Sequence, residues 1–197
     1  AASSPDVFVR AAAVDALGLL PTSASIGILL KAARDEEPWI KEGAQQGLRR
    51  IPPQQLAPHT RALCTLATEH LAAMDEPQWT AEPAAQILSV LENIAESALE
   101  TAHSEDILAC GLRAMGAPKA SVRVTGLQLL ESLHHSGFQP RLRRGEIIRI
   151  GTALSSTNRN VLASAITVLE RWLPAGDQAI VEPLCACADH APDELVS

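Results

Sequence analysis

A twelve-residue pattern that recurs five times constrains the fold of this chain more than any other feature. The copies begin 31, 39, 43 and 39 residues apart and align without gaps: VRAAAVDALGLL from Val9, IKEGAQQGLRRI from Ile40, WTAEPAAQILSV from Trp79, VRVTGLQLLESL from Val122 and VLASAITVLERW from Val161. The first, ninth and twelfth positions are large and apolar, and the fifth is small or compact. On an α-helix these four positions fall within about 80° of arc. Each copy therefore predicts an amphipathic helix whose small residue lets a neighbouring helix approach.

A second set of helices is predicted between the copies. Apolar residues recur at helical spacing over 23–33, 54–73, 104–115, 139–154 and 177–188, and proline or glycine marks the joints. A spacing of about forty residues is typical of a unit of two helices. Apolar residues make up 47% of the chain but aromatic residues only 3%, so the core must be aliphatic. No long stretch alternates with period two, and the sequence therefore predicts an all-α fold without a sheet.

The segments PDVFVRAAAVDALGLL and DEEPWIKEGAQQGLRRI resemble the HEAT-repeat family in its short bacterial form. An acidic or proline turn precedes Val9-Arg10 and Ile40-Lys41, small residues follow, and Ala16-Leu17-Gly18 completes the pattern. The resemblance implies a right-handed α-solenoid of about five stacked antiparallel hairpins, forming one domain over residues 1–197. It also implies that the second helix of each hairpin lines the inner curve.

Two features of the repeats lead to further expectations. Pro83 falls within the third copy and is tolerated only if that helix begins late, with Pro83 in its first turn. The chain opens on a helix of the second type, and HAPDELVS near its end reads like a turn into another. An uncapped solenoid exposes apolar faces, so we expect the natural protein to continue in at least one direction.

Signatures of enzymes and of metal sites are weak in this sequence. Cys185, Cys187 and His190 are of the zinc-ligand types, but the two thiols would point roughly 200° apart on a helix. His134 and His135 are adjacent and cannot aim at one atom. No nucleophile elbow, phosphate loop or dinucleotide fingerprint is present. We therefore predict no enzymatic activity, no cofactor and no metal.

The distribution of charge is the most informative feature for binding. The net charge is −7, but residues 111–172 hold nine basic and three acidic side chains. Two interpretations remain open: a solvated surface, or a patch that docks an acidic partner. The candidate binding residues are these basic side chains together with one tryptophan near a helix start: Arg113, Lys119, Arg123, Arg141, Arg143, Arg144, Arg149 and Trp39.

The sequence favours a protein-binding scaffold, because stacked hairpins offer an extended surface. One alternative is a nucleic-acid-binding protein that uses block 111–172, which the acidic remainder and the scarcity of aromatic residues disfavour. Another is a regulatory or sensor segment of a larger multidomain protein. Scattered cysteines in a chain of this size are typical of a reducing, cytoplasmic compartment, and no apolar run is long enough for a membrane span.

Overall fold

The computed structural model describes residues 2, 4–73, 81–97, 101–140, 142–173, 181 and 185, and all regular secondary structure in these residues is helical. The helices are α1 Val7–Leu17, α2 Ser23–Ala32, α3 Pro38–Arg50, α4 Pro53–Leu56, α5 Thr60–Ala72, α6 Ala81–Ser97, α7 Thr101–Ala114, α8 Ala120–His135, α9 Arg144–Gly151 and α10 Arg159–Trp172. Short 3₁₀ turns, Ala57–His59 and Thr152–Ser155, precede α5 and follow α9. None of the helices described has the length and apolarity needed to cross a bilayer.

The helix ends are fixed by local polar groups. The Asp6 carboxylate accepts hydrogen bonds from the first turn of α1, and the side chains of Thr22 and Asn158 do the same for α2 and α10. Such caps satisfy backbone N–H groups that have no partner within the helix. After α8, Gly137 adopts a positive φ of 86°. That conformation suits glycine and turns the chain out of the helix.

The helices pack in two rows. The helices that carry the repeated pattern pack against one another in chain order and form the repeat row: α1, α3, α6, α8 and α10. The intervening helices do likewise and form the connecting row: α2, α5, α7 and α9. Neighbours within a row are thus about one repeat apart in sequence, and the aliphatic core lies between the rows.

The predicted apolar stripe is buried in the described parts of the second to fifth copies, except that Pro83 and Trp172 are only partly buried. In the first copy the prediction was wrong for two residues, since Val9 is 43% exposed and Leu20 57% exposed. Helix α1 begins the repeat row, and Leu20 lies beyond the end of α1. Helix α3 packs against one side of α1, but among the described residues no helix of the repeat row packs against its opposite side.

The small residue at the fifth position acts as predicted where α7 crosses α8. Gly126 of α8 is buried, and a Cβ atom there would lie 2.6 Å from the Cβ of Ala114 and 3.1 Å from the carbonyl oxygen of Gly111. Both distances are shorter than ordinary van der Waals contact. The absence of a side chain at Gly126 thus allows α7 and α8 to approach this closely.

Proline explains how the connecting row departs from the predicted helices. The segment 54–73 is divided into α4, a 3₁₀ turn that contains Pro58, and α5, because proline lacks the N–H that a continuous helix requires. The segment 139–154 was predicted to be one helix, but Pro140 precedes a helix that begins only at Arg144. Pro83 is the third residue of α6, as predicted. Trp79, Cys187 and His190 lie outside the described residues, and so does the expected helix at 177–188 apart from residues 181 and 185.

His70 makes the stability of this packing depend on pH. It lies on α5, and its Nε2 is 3.4 Å from the amide nitrogen of Gln45 on α3. Burial, reinforced by the charge of Lys41, lowers the pKa of His70 from 6.5 to about 4. The folded protein therefore favours the neutral ring, whereas the unfolded chain binds a proton at higher pH.

We expect the free energy of unfolding to be highest above pH 6.5 and to fall as the pH is lowered toward about 4. Allowing for solvent screening, the loss is about 1–2 kcal/mol. Urea unfolding between pH 7 and about 5 measures this loss in the free energy of unfolding, because most carboxylates titrate at lower pH and contribute little in this range. His70→Gln keeps a polar side chain beside Gln45 and should flatten the dependence; an unchanged slope in this variant would assign the effect to other groups.

Candidate functional site

Three arginines from successive helices of the connecting row line one groove. Arg61 comes from α5, Arg113 from α7 and Arg149 from α9, and the groove has a volume of about 500 Å³. Each of these helices packs against the next. The groove therefore forms only when the helices of the connecting row pack together, because each of these helices contributes one of the three guanidinium groups. We call it the arginine groove.

Two carboxylates share the groove but leave it with positive charge. Arg61 Nε lies 3.4 Å from Asp106 Oδ2, an ion pair that joins α5 to α7. Glu146 accepts a hydrogen bond of 2.6 Å from the backbone N–H of Arg143 and so caps α9. Within the described part of the chain, neither Arg113 nor Arg149 forms an ion pair. These two guanidinium groups remain for a negatively charged ligand.

Two cysteines from α5 and α7 also line the groove. Cys64 is 7% exposed and Cys110 3% exposed. The thiol of Cys110 lies 3.5 Å from the carbonyl oxygen of Cys64, close enough for a weak hydrogen bond. Both thiols are free. The arginine groove therefore combines a cationic rim with a floor that contains two neighbouring sulfur atoms.

The structure brings only some of the predicted basic residues together. Arg113 and Arg149 lie in the arginine groove, and Lys119 is the exposed N-cap residue of α8. Arg143 and Arg144 are exposed at the start of α9. Arg141 lies outside the described residues. Block 111–172 is thus distributed over several surfaces, and one of them is the arginine groove.

Arg123 is used within the protein. Its Nη1 donates to the carbonyl oxygens of Ala117 and Pro118, at 2.9 and 3.0 Å. Arg10 holds the equivalent position in the first repeat, and its Nη1 donates to the carbonyl oxygens of Ser4 and Pro5, at 3.1 and 3.3 Å. In both repeats the arginine folds back onto residues five and six positions earlier. The arginine of the Val-Arg pair thus braces the turn before its helix and is less available to a partner.

Trp39 forms a separate aromatic surface. Its ring is 42% exposed and contacts Phe8, which is 73% exposed, with ring centroids 5.7 Å apart. The indole N–H donates to Glu37 at 3.2 Å. Trp39 and Phe8 are not among the residues that line the arginine groove.

Arg61 and its partner Asp106 were missed because charge was assessed in contiguous blocks of sequence. Arg61 lies in the predominantly acidic part of the chain, 45 residues before Asp106. Two other ion pairs have similar separations: Arg34 with Glu69, 35 residues apart, and Glu131 with Arg171, 40 residues apart. Opposite charges about one repeat apart were the signal that could have found these pairs.

The cysteines and histidines that were considered as metal ligands and rejected lie as follows in the described residues. Cys185 is exposed. His134 and His135 lie side by side at the end of α8 with ring centroids 6.4 Å apart, and His135 contacts Arg171. Within the part of the chain that the structure describes, no group of three or more histidine, cysteine or acidic side chains is arranged to hold a metal ion.

Comparison with known proteins bears on the fold alone. No family model matches the chain, and no curated protein matches it. The crystal structure of an engineered protein, a target of the Northeast Structural Genomics Consortium, is similar with a TM-score of 0.52. The match covers 96% of this chain and 92% of that chain at 13% sequence identity. At this identity it supports an all-helical architecture and carries no function across.

Proposed function

We propose that this chain is a HEAT-type α-solenoid that acts as a protein-binding scaffold, and that the arginine groove receives an acidic segment of its partner. The solenoid assignment is supported by the two rows of helices and by the equivalent turn contacts of Arg10 and Arg123. A cytoplasmic location is part of the proposal, supported by the free thiols of Cys64 and Cys110.

The convergence of Arg61, Arg113 and Arg149 on one groove carries the binding proposal. Guanidinium groups match carboxylates through paired hydrogen bonds. A peptide with glutamate or aspartate side chains can reach more than one arginine, because the three come from successive helices. DNA is the less suitable ligand, because the chain has a net charge of −7 and a long polyanion would extend beyond the groove onto the acidic remainder of the protein.

Charge reversal tests this proposal. We expect Arg113→Glu combined with Arg149→Glu to weaken binding of a fluorescein-labelled glutamate-rich peptide at least tenfold, which is about 1.4 kcal/mol. Fluorescence anisotropy measures the affinity at low and moderate salt. The matched control is Arg49→Glu combined with Arg159→Glu, which changes the charge equally at exposed residues outside the groove.

The outcomes separate the candidate functions. The proposal is supported if peptide affinity falls in the variant with Arg113→Glu and Arg149→Glu but changes little in the control variant. Equal loss in both variants would indicate general charge attraction and contradict a specific groove. An oligonucleotide of equal charge serves as competitor: if it binds more tightly than the peptide, with affinity falling steeply with salt, nucleic-acid binding replaces protein binding as the function.

A further inference from the structure

We infer that Cys64 and Cys110 form a reversible redox pair, in which hydrogen peroxide converts the two thiols into a disulfide that joins α5 to α7. This inference is independent of the proposed binding function, because it concerns the reaction of the chain with a small oxidant. It rests on the placement of the two sulfur atoms, on the contacts that hold their helices in register and on the groove that leads to them.

The register of α5 against α7 places the two cysteines opposite each other. The ion pair of Arg61 with Asp106 joins these helices one turn before the cysteines. One turn further along, the Cys110 thiol reaches the backbone of Cys64 at 3.5 Å. Two points of contact on the same pair of helices thus fix the cysteines side by side. A disulfide requires this proximity of two backbones.

The environment makes the two thiols unequal. Hydrogen bonding to Cys110, together with burial, raises the pKa of Cys64. The same contact lowers the pKa of Cys110 against the effect of burial, and Thr68 and the charge of Arg113 reinforce the decrease. The thiolate is the reactive form of cysteine. Cys110 also lies one helical turn before Arg113 on α7, and both side chains line the groove, so the guanidinium group favours a thiolate at Cys110. We assign the first attack to Cys110 and the second step to Cys64.

Access is restricted to small reagents. With exposures of 7% and 3%, the cysteines present little surface, but both face a groove of about 500 Å³. Hydrogen peroxide is comparable in size to a water molecule and enters spaces that exclude larger oxidants. Arginine and threonine side chains at the groove can hydrogen-bond to it as it approaches.

The reaction proceeds in two balanced steps. The Cys110 thiolate attacks one oxygen of hydrogen peroxide, and the O–O bond breaks. Cys110 becomes a sulfenic acid, and the departing hydroxide takes up the proton that the Cys110 thiol had released, which gives the first water. The sulfur of Cys64 then attacks the sulfenic sulfur, the S–O bond breaks, and the Cys64 proton leaves with the oxygen as water. Overall, two thiols are oxidised to one disulfide and one peroxide is reduced to two waters.

Peptide mapping of the intact, folded chain tests the inference. Trypsin cannot separate the cysteines, because no lysine or arginine lies between Arg61 and Arg113, but cleavage after glutamate places them in peptides 43–69 and 106–131. After brief treatment with hydrogen peroxide and alkylation of free thiols, we expect these peptides to be linked. Dithiothreitol should separate them. Cys185→Ser, a change at an exposed cysteine, should leave the link unchanged.

Single substitutions test the order of the steps. With Cys64→Ser, we expect Cys110 to accumulate as a sulfenic acid that dimedone traps. With Cys110→Ser, Cys64 should react at least tenfold more slowly, and circular dichroism checks that both variants remain folded. The inference is overturned if peroxide oxidises Cys185 while Cys64 and Cys110 stay free. It is equally overturned if their link forms only in urea, since the folded arrangement would then not be responsible.

Discussion

Replacing Gly126 with valine is expected to lower the free energy of unfolding by about 3 kcal/mol or more. Gly126 faces Ala114 and the backbone of Gly111 where α8 crosses α7, and a Cβ alone would lie 2.6 Å from the Cβ of Ala114. Valine adds two methyl groups at this point, so α7 and α8 must move apart. Their separation would open the aliphatic core between the rows. The midpoint of urea unfolding, followed by circular dichroism, measures the effect.

Gly27 supplies a matched control on α2. A Cβ added there would meet no atom within 4 Å, and the position is exposed. Gly27→Val should therefore change the free energy of unfolding by less than about 0.5 kcal/mol, since valine differs little from glycine in helix propensity. Similar small effects of both substitutions would mean that α7 and α8 are not in close contact at Gly126.

Leu130→Ala is expected to cost about 2–5 kcal/mol, and the cost should depend on the residue at position 111. Leu130 is fully buried on α8, and a Cβ built on Gly111 of α7 would lie 2.6 Å from Leu130 Cδ2. Gly111→Ala alone should therefore cost about 1–3 kcal/mol through overpacking. When Leu130 is also alanine, the added methyl group enters the space that the leucine vacated.

A double-mutant cycle measures this compensation. We expect the double variant Gly111→Ala, Leu130→Ala to be more stable than the sum of the two single effects predicts, by about 1–2 kcal/mol. The favourable interaction energy would locate these residues in direct contact across the two rows. Additive effects would mean that the two residues are not in contact. An unfavourable interaction energy would mean that the methyl group at position 111 does not fill the space left by Leu130.

The all-helical fold could be predicted because its signal repeats. Ile40, Leu48 and Ile51 recur at the spacing of one helical face, and all three are buried. The prediction of burial was wrong for Val9. An apolar stripe is buried only where a neighbouring helix covers it, and the pattern within one copy does not show whether such a helix is present. The position of Pro83 in the first turn of its helix was predicted correctly. The prediction of one helix over 139–154 did not take account of Pro140, and the helix begins only at Arg144.

The candidate site could be predicted only in part. Arg113 and Arg149 were identified from their basic block, and the structure brings them together with Arg61. The block could not reveal Arg61, because α5 and α7 are neighbours in space but lie one repeat apart in sequence. It also overvalued Arg123, whose guanidinium binds turn carbonyls. Hydrogen bonding to local backbone depends on turn geometry that charge counting does not include.

The central claim is that an acidic protein segment binds at the arginine groove. A titration of the ¹⁵N-labelled protein with a glutamate-rich peptide, followed through the arginine side-chain Nε–Hε resonances, tests it most directly. We predict saturable shifts for Arg61, Arg113 and Arg149, the three arginines that line the groove, with Arg49 and Arg159 unaffected. Shifts spread evenly over all exposed arginines, or confined to residues outside the groove, would contradict the claim.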